Sequence, residues 1–247
     1  MKSSETAEEH LCAIRALMER STIYRAISAP AALMGGILGI VAGAVLWWVG
    51  GHRYPVGGES GWLPFVLTWL MGYLVVEGIN FTMIYRNARH RGDRFLSPGL
   101  KHAVRALAPP LLCGCVTGVS LAAFLNDPGL CAIVWVTFFG LALLSTGSFA
   151  PKSLVWLGRA FAFAGIVMLP VYLGFASEAT NRFQWAALIM AVTFGLFHLI
   201  YAAAITGAQA MRPAHAQAPS VLPSVLPSVL PSVPADRPAN NPFRSAS

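Results

Sequence analysis

The chain has 247 residues, of which 56% are hydrophobic and only 11% charged, with a net charge of +7 and a mean hydropathy of +0.61. A soluble domain carries about 25% charged residues because its surface must be wetted, so an ordinary soluble globule is excluded. Disorder over most of the length is excluded too, since it needs low hydrophobicity and many charges. The remaining class is an all-α integral membrane bundle, which the sequence divides into 1–30, 31–206 and 207–247.

Residues 1–30 are polar. Thr6-x-x-Glu9 forms a capping box, and Leu11, Ile14, Leu17 and Met18 follow at helical spacing with Glu8, Arg15, Glu19 and Arg20 opposite. This predicts an amphipathic cytoplasmic helix over 7–28, stopped near Pro30, that offers a surface to a cytoplasmic partner. Four acids (Glu5, Glu8, Glu9 and Glu19) precede the first apolar run, a pattern unlike a secretory signal.

Six apolar stretches follow at 31–49, 63–85, 109–125, 130–149, 158–175 and 184–205. Each is close to the ~20 residues that a helix needs to cross a bilayer core. In the first, Gly35, Gly39 and Gly43 recur every fourth residue and build a flat groove for close backbone approach. The third repeats the pattern with Gly114 and Gly118, which predicts that these two helices face each other; the rival is a homodimer through one groove.

The second stretch holds Glu77, the only acid in any span, with Tyr73 and Asn80 on its face at spacings of four and three. A charge at mid-membrane costs about 2.5 to 3.5 kcal/mol on insertion scales, so such a residue faces the bundle interior and has a partner. The only histidine in a span is His198, with Phe194 and Tyr201 on its face. Glu77 lies fourteen residues after Leu63 and His198 fourteen after Gln184, on helices that run in the same direction. At a common rise of about 1.5 Å per residue the two reach similar depth, which predicts that they are neighbours, directly or through Asn80 or a water. Such a pair either fixes helix register through a hydrogen bond or serves as a proton or cation site in a small transporter.

Between the second and third spans lie Arg86, Arg89, Arg91, Arg94, Lys101 and Arg105, while the third and fourth are joined only by the turn Asn126-Asp127-Pro128-Gly129. With alternating sides, 15 of the 17 Lys and Arg residues fall on one side of the membrane and only Arg53 and Arg182 on the other. The positive-inside rule then places both termini in the cytoplasm, and the positive charge reports orientation rather than a nucleic-acid partner. Ser97-Pro98 opens a short helix (Leu100, Val104 and Leu107 against Lys101, His102 and Arg105) predicted to lie on the inner leaflet. Trp47, Trp48, Trp62 and Trp185 mark the outer interface, and Tyr24, Tyr85 and Trp156 the inner one.

The cysteines (Cys12, Cys113, Cys115 and Cys131) have no zinc-ligand spacing, and no metal or cofactor is expected. Paired axial histidines for haem are absent from the spans. From 207 onward Ser-Val-Leu-Pro repeats at Ser220, Ser224 and Ser228, which reads as a disordered tail.

Two stretches carry likenesses. Thr193-Phe194-Gly195-Leu196-Phe197-His198 looks like the Phe-Gly-Leu-x-His segment of intramembrane CAAX-type proteases, which makes an intramembrane hydrolase a remote alternative; the paired glutamates and second histidine of those enzymes are missing. Ile14-Arg15-x-x-Met18-Glu19-Arg20-Ser21, together with Gly140 to Leu144 and Lys152-Ser153-Leu154 to Leu157-Gly158, resembles a family of bacterial six-span inner-membrane proteins over residues 10–206. That resemblance implies six spans and the bacterial cytoplasmic membrane, and carries no activity. The sequence therefore reads as a non-enzymatic sensor or partner-binding membrane component in contact with the lipid bilayer, with a small transporter centred on Glu77 and His198 as the alternative.

Overall fold

A computed structural model of the chain describes residues 29–53, 61–91, 98–175 and 182–210. The amphipathic helix predicted over 7–28, the end of the basic loop at 92–97 and the tail from 211 lie outside the described residues. Everything described is helical or turn, with no strand among the described residues: α1 (Ala29–Arg53), α2 (Trp62–Arg91), α3 (Pro98–Leu125), α4 (Pro128–Ser145) and α5 (Lys152–Phe175). The last span is α6 (Arg182–Met190), a π-helical segment (Ala191–Phe197) and α7 (His198–Ala210) in unbroken succession. Among the described residues, six helices are thus long and apolar enough to cross a membrane.

Prolines mark where helices begin. Pro98 and Pro128 open α3 and α4, and Pro30 lies in the first turn of α1, where a missing N–H costs nothing. The α3–α4 turn passes through Asn126, whose φ of 53° is left-handed and suits asparagine.

Several boundaries differ from the sequence reading; α1 runs on to Arg53 and α2 to Arg91. The short helix expected on the inner leaflet and the third span form one helix, α3, which continues through Pro109 and Pro110. Pro110 has no N–H for the Ala106 carbonyl, and the Ser145 hydroxyl at the end of α4 lies 2.8 Å from that oxygen, sharing its one proton between it and the Ala142 carbonyl at 2.7 Å. Ser145 and the turn after it also end the fourth span early, at 145 rather than 149, and α5 starts at Lys152 rather than Gly158. The last helix runs on to Ala210, past the expected boundary at 206, because Ala208, Gln209 and Ala210 are good helix formers.

The hub is α4. Half of the membrane-crossing part of α4 is buried inside the bundle, against 17% of that of α2 and of α3, so α4 sits at the centre and those two at the periphery. It packs mainly against α3 and α5, and also against α6. The core around it holds fully buried Phe65, Val136, Phe161, Phe183 and Thr193.

Small residues set the closest crossings. The α1 groove is filled by the last span: a Cβ on Gly39 would lie 2.9 Å from the Gly195 nitrogen, and one on Gly43 2.5 Å from the Ala191 Cβ. Gly35 is looser, with a Val76 methyl of α2 at 3.4 Å. The α3 glycines face α4, where Phe138 fills the space beside Gly114 and Trp135 that beside Gly118. The grooves of the first and third spans therefore do not face each other; bulky α4 side chains occupy one and the backbone of the last span the other. The α4–α5 crossing is equally close, with Gly140 against Gly158 and Ala162, and Gly165 against Thr137.

Candidate functional site

Glu77 lies midway along α2. Its carboxyl receives a hydrogen bond from the Asn80 side chain one turn later, and Tyr73 one turn earlier is within electrostatic reach of it. Asn80 Oδ1 is buried with no hydrogen-bond partner, so the Asn80 amide nitrogen makes the bond to Glu77. Glu77 and Asn80 are each only half-buried, and Tyr73 is exposed. Leu74 and Phe81, at spacings of three and four from Glu77, are exposed as well. Glu77 thus stands on the border of a face of α2 that nothing in this chain covers among the described residues.

His198 sits in a different environment. Its ring lies among Phe139, Phe161 and Phe194 at centroid separations of 5.8, 5.5 and 6.0 Å. Its Nδ1 donates to the Phe194 carbonyl at 2.9 Å. That carbonyl belongs to the π-helical segment, whose wider turns displace the usual i to i+4 backbone bonds, so the imidazole serves the backbone of its own helix. No hydrogen bond or ion pair joins His198 to Glu77. Tyr201 is buried in the core one turn further on. The five polar residues singled out in the sequence thus divide between two places, with Glu77, Asn80 and Tyr73 on α2, and His198 and Tyr201 inside the bundle.

A third polar cluster has no counterpart in the sequence reading. Asp127 is 6% exposed and caps α4, accepting the N–H of Gly129 at 2.9 Å and of Leu130 at 3.1 Å through Oδ1. The same oxygen accepts the hydroxyl of Tyr172 near the end of α5. The second oxygen, Oδ2, pairs with Arg182 Nη1 at 3.4 Å, at the start of α6. One carboxylate therefore ties three spans together at one end of the bundle. The sequence reading took these residues only as a turn; an Asp ahead of a first-turn proline is the signal that points to the cap, whereas the partners 45 and 55 residues away leave none.

Beside this cluster, α5 and the last span enclose a cleft of about 170 Å³. Met168, Val171 and Tyr172 form one wall and Trp185, Leu188 and Val192 the other; Glu77 is not among its lining residues.

The helices and their lengths define a multi-pass α-helical membrane protein. No family model, curated protein or solved structure matches the chain. Among the described residues, no three His, Cys, Asp or Glu side chains are grouped closely enough to hold a metal ion.

Proposed function

We propose that the protein is a non-enzymatic, partner-binding component of a bacterial cytoplasmic membrane, with both termini in the cytoplasm and α2 as the helix that receives the partner. One observation carries this reading: the ionisable Glu77, bonded to Asn80, borders the uncovered face formed by Leu74 and Phe81 on the thinly packed α2. A polar pair in a span is costly against lipid and is relieved by hydrogen bonds to another helix. The orientation rests on the Lys and Arg asymmetry of the sequence. The helix expected over 7–28 offers a second, cytoplasmic surface to the same partner.

The test places a photo-reactive phenylalanine analogue at Phe81 and, as a control, at the more exposed Phe163 of α5 in the native membrane. A discrete adduct at Phe81 that is absent at Phe163 and lost with Glu77→Leu is expected. The same weak labelling at both positions, together with proton flux in liposomes that Glu77→Gln abolishes, would replace this reading with transport.

A further inference from the structure

We propose that the cleft between α5 and the last span is a phospholipid site, in which one acyl chain lies along the cleft and Arg182 holds the phosphodiester of the same molecule. The walls offer carbon almost throughout, so a chain fits where water would find no partners. Val171 and Leu188 on its two walls are each about two-fifths exposed, so the cleft is open along its side to the bilayer and a chain enters laterally.

The charge lies at one end. On the last span Trp185, Leu188 and Val192 share one helical face, and Arg182 lies one turn before Trp185, to the side of that face where Asp127 sits. Arg182 is also anchored from the other wall, because Asp127 pairs with it and accepts the hydroxyl of Tyr172, a cleft residue. In that pair the carboxylate side chain is 8% exposed and the arginine side chain 50%, so half of the arginine stays accessible while its counter-ion is buried. A guanidinium offers five N–H donors in a planar fork that matches a phosphate. Tyr172 and Trp185 beside it are the amphipathic types that collect at the headgroup level.

The dimensions agree with a lipid lying in one leaflet. Trp185 to Val192 spans about 10 Å at the helical rise, roughly two-thirds of the ~15 Å depth of a single leaflet's hydrocarbon. A chain in the cleft therefore starts below the headgroup and ends short of the midplane.

The full chain, delipidated in a maltoside detergent, is titrated with phosphatidylglycerol, with a chain-matched diacylglycerol, and with inorganic phosphate as competitor, and bound lipid is counted by native mass spectrometry. One phosphatidylglycerol per chain is expected, with diacylglycerol about tenfold weaker or worse for want of charge-assisted hydrogen bonds, and with no competition by phosphate. Leu188→Trp, which fills the cleft from its lipid-facing rim and leaves the Asp127 cluster alone, is expected to weaken phosphatidylglycerol by about tenfold through lost chain burial. Arg182→Gln is expected to bring phosphatidylglycerol down to the level of diacylglycerol. Unchanged affinity in folded Leu188→Trp, equal affinity for diacylglycerol, or no adduct with the wild-type chain would each overturn the proposal. Should Arg182→Gln fail to fold, Leu188→Trp and diacylglycerol decide.

Discussion

Replacing Asp127 with alanine removes three kinds of bond, and the structure assigns each a size. Loss of the cap on the Gly129 and Leu130 N–H groups costs about 1 kcal/mol. The Tyr172 hydroxyl, on a residue 2% exposed, loses its acceptor, and a buried orphan donor costs about 1–3 kcal/mol. The Arg182 contact at 3.4 Å adds about 0.5 kcal/mol or less, because half of that arginine side chain is in contact with solvent or headgroups. Asp127→Ala is therefore expected to destabilise the bundle by about 2–4 kcal/mol. Asp127→Asn separates the contributions in part, since its Oδ1 keeps an acceptor at the same three donors while the charge that strengthens those bonds and the Arg182 pair are lost, so its cost is expected to be about 1–2 kcal/mol and below that of Ala. Unfolding in mixed micelles of rising dodecyl sulfate content, followed by tryptophan fluorescence, measures both variants. If Asn proved as costly as Ala, or Ala fell within about 0.5 kcal/mol of wild type, the hydrogen bonds to Oδ1 would not be what holds the three spans.

Two glycine substitutions are expected to behave oppositely in the same unfolding assay. Gly39→Leu drives a side chain into the Gly195 backbone and is expected to cost about 3 kcal/mol or more, whereas Gly78→Ala, with nothing within 4 Å of the added carbon, is expected to leave stability unchanged or slightly raised. Equal effects would remove the case for a close α1 crossing. Ser145→Ala leaves the Ala106 carbonyl without its donor beside Pro110 and is expected to cost about 1 kcal/mol; combining it with Pro110→Ala, which restores the helical N–H, is expected to cancel that cost, and a merely additive double variant would contradict the compensation.

Six spans were legible because hydropathy acts locally, and each stretch of about twenty apolar residues meets the bilayer requirement by itself. Gly39 and Gly43 announced a close crossing but not its partner, since a flat groove accepts any small-residue face. Ala191 and Gly195 supply that face, and neither stands in a four-residue glycine series. Depth counting set His198 level with Glu77 but said nothing about azimuth, and the π-helical segment just before His198 alters the rotation that counting assumes. Asp127 was hidden for another reason. A turn sequence shows its local cap, whereas Tyr172 and Arg182 become neighbours only after α4, α5 and α6 have packed.

The docking of α1 on the last span bears on the order in which the protein is made. The groove around Gly39 is synthesised before its occupant, the segment Ala191–Phe197, with four spans between them. Throughout translation of the intervening spans the groove faces lipid, and the ends of the membrane domain close on each other only when the sixth helix is inserted. Assembly is in this sense circular, and a chain released after α5 retains an unfilled glycine surface that quality-control proteases or another small-residue helix can engage.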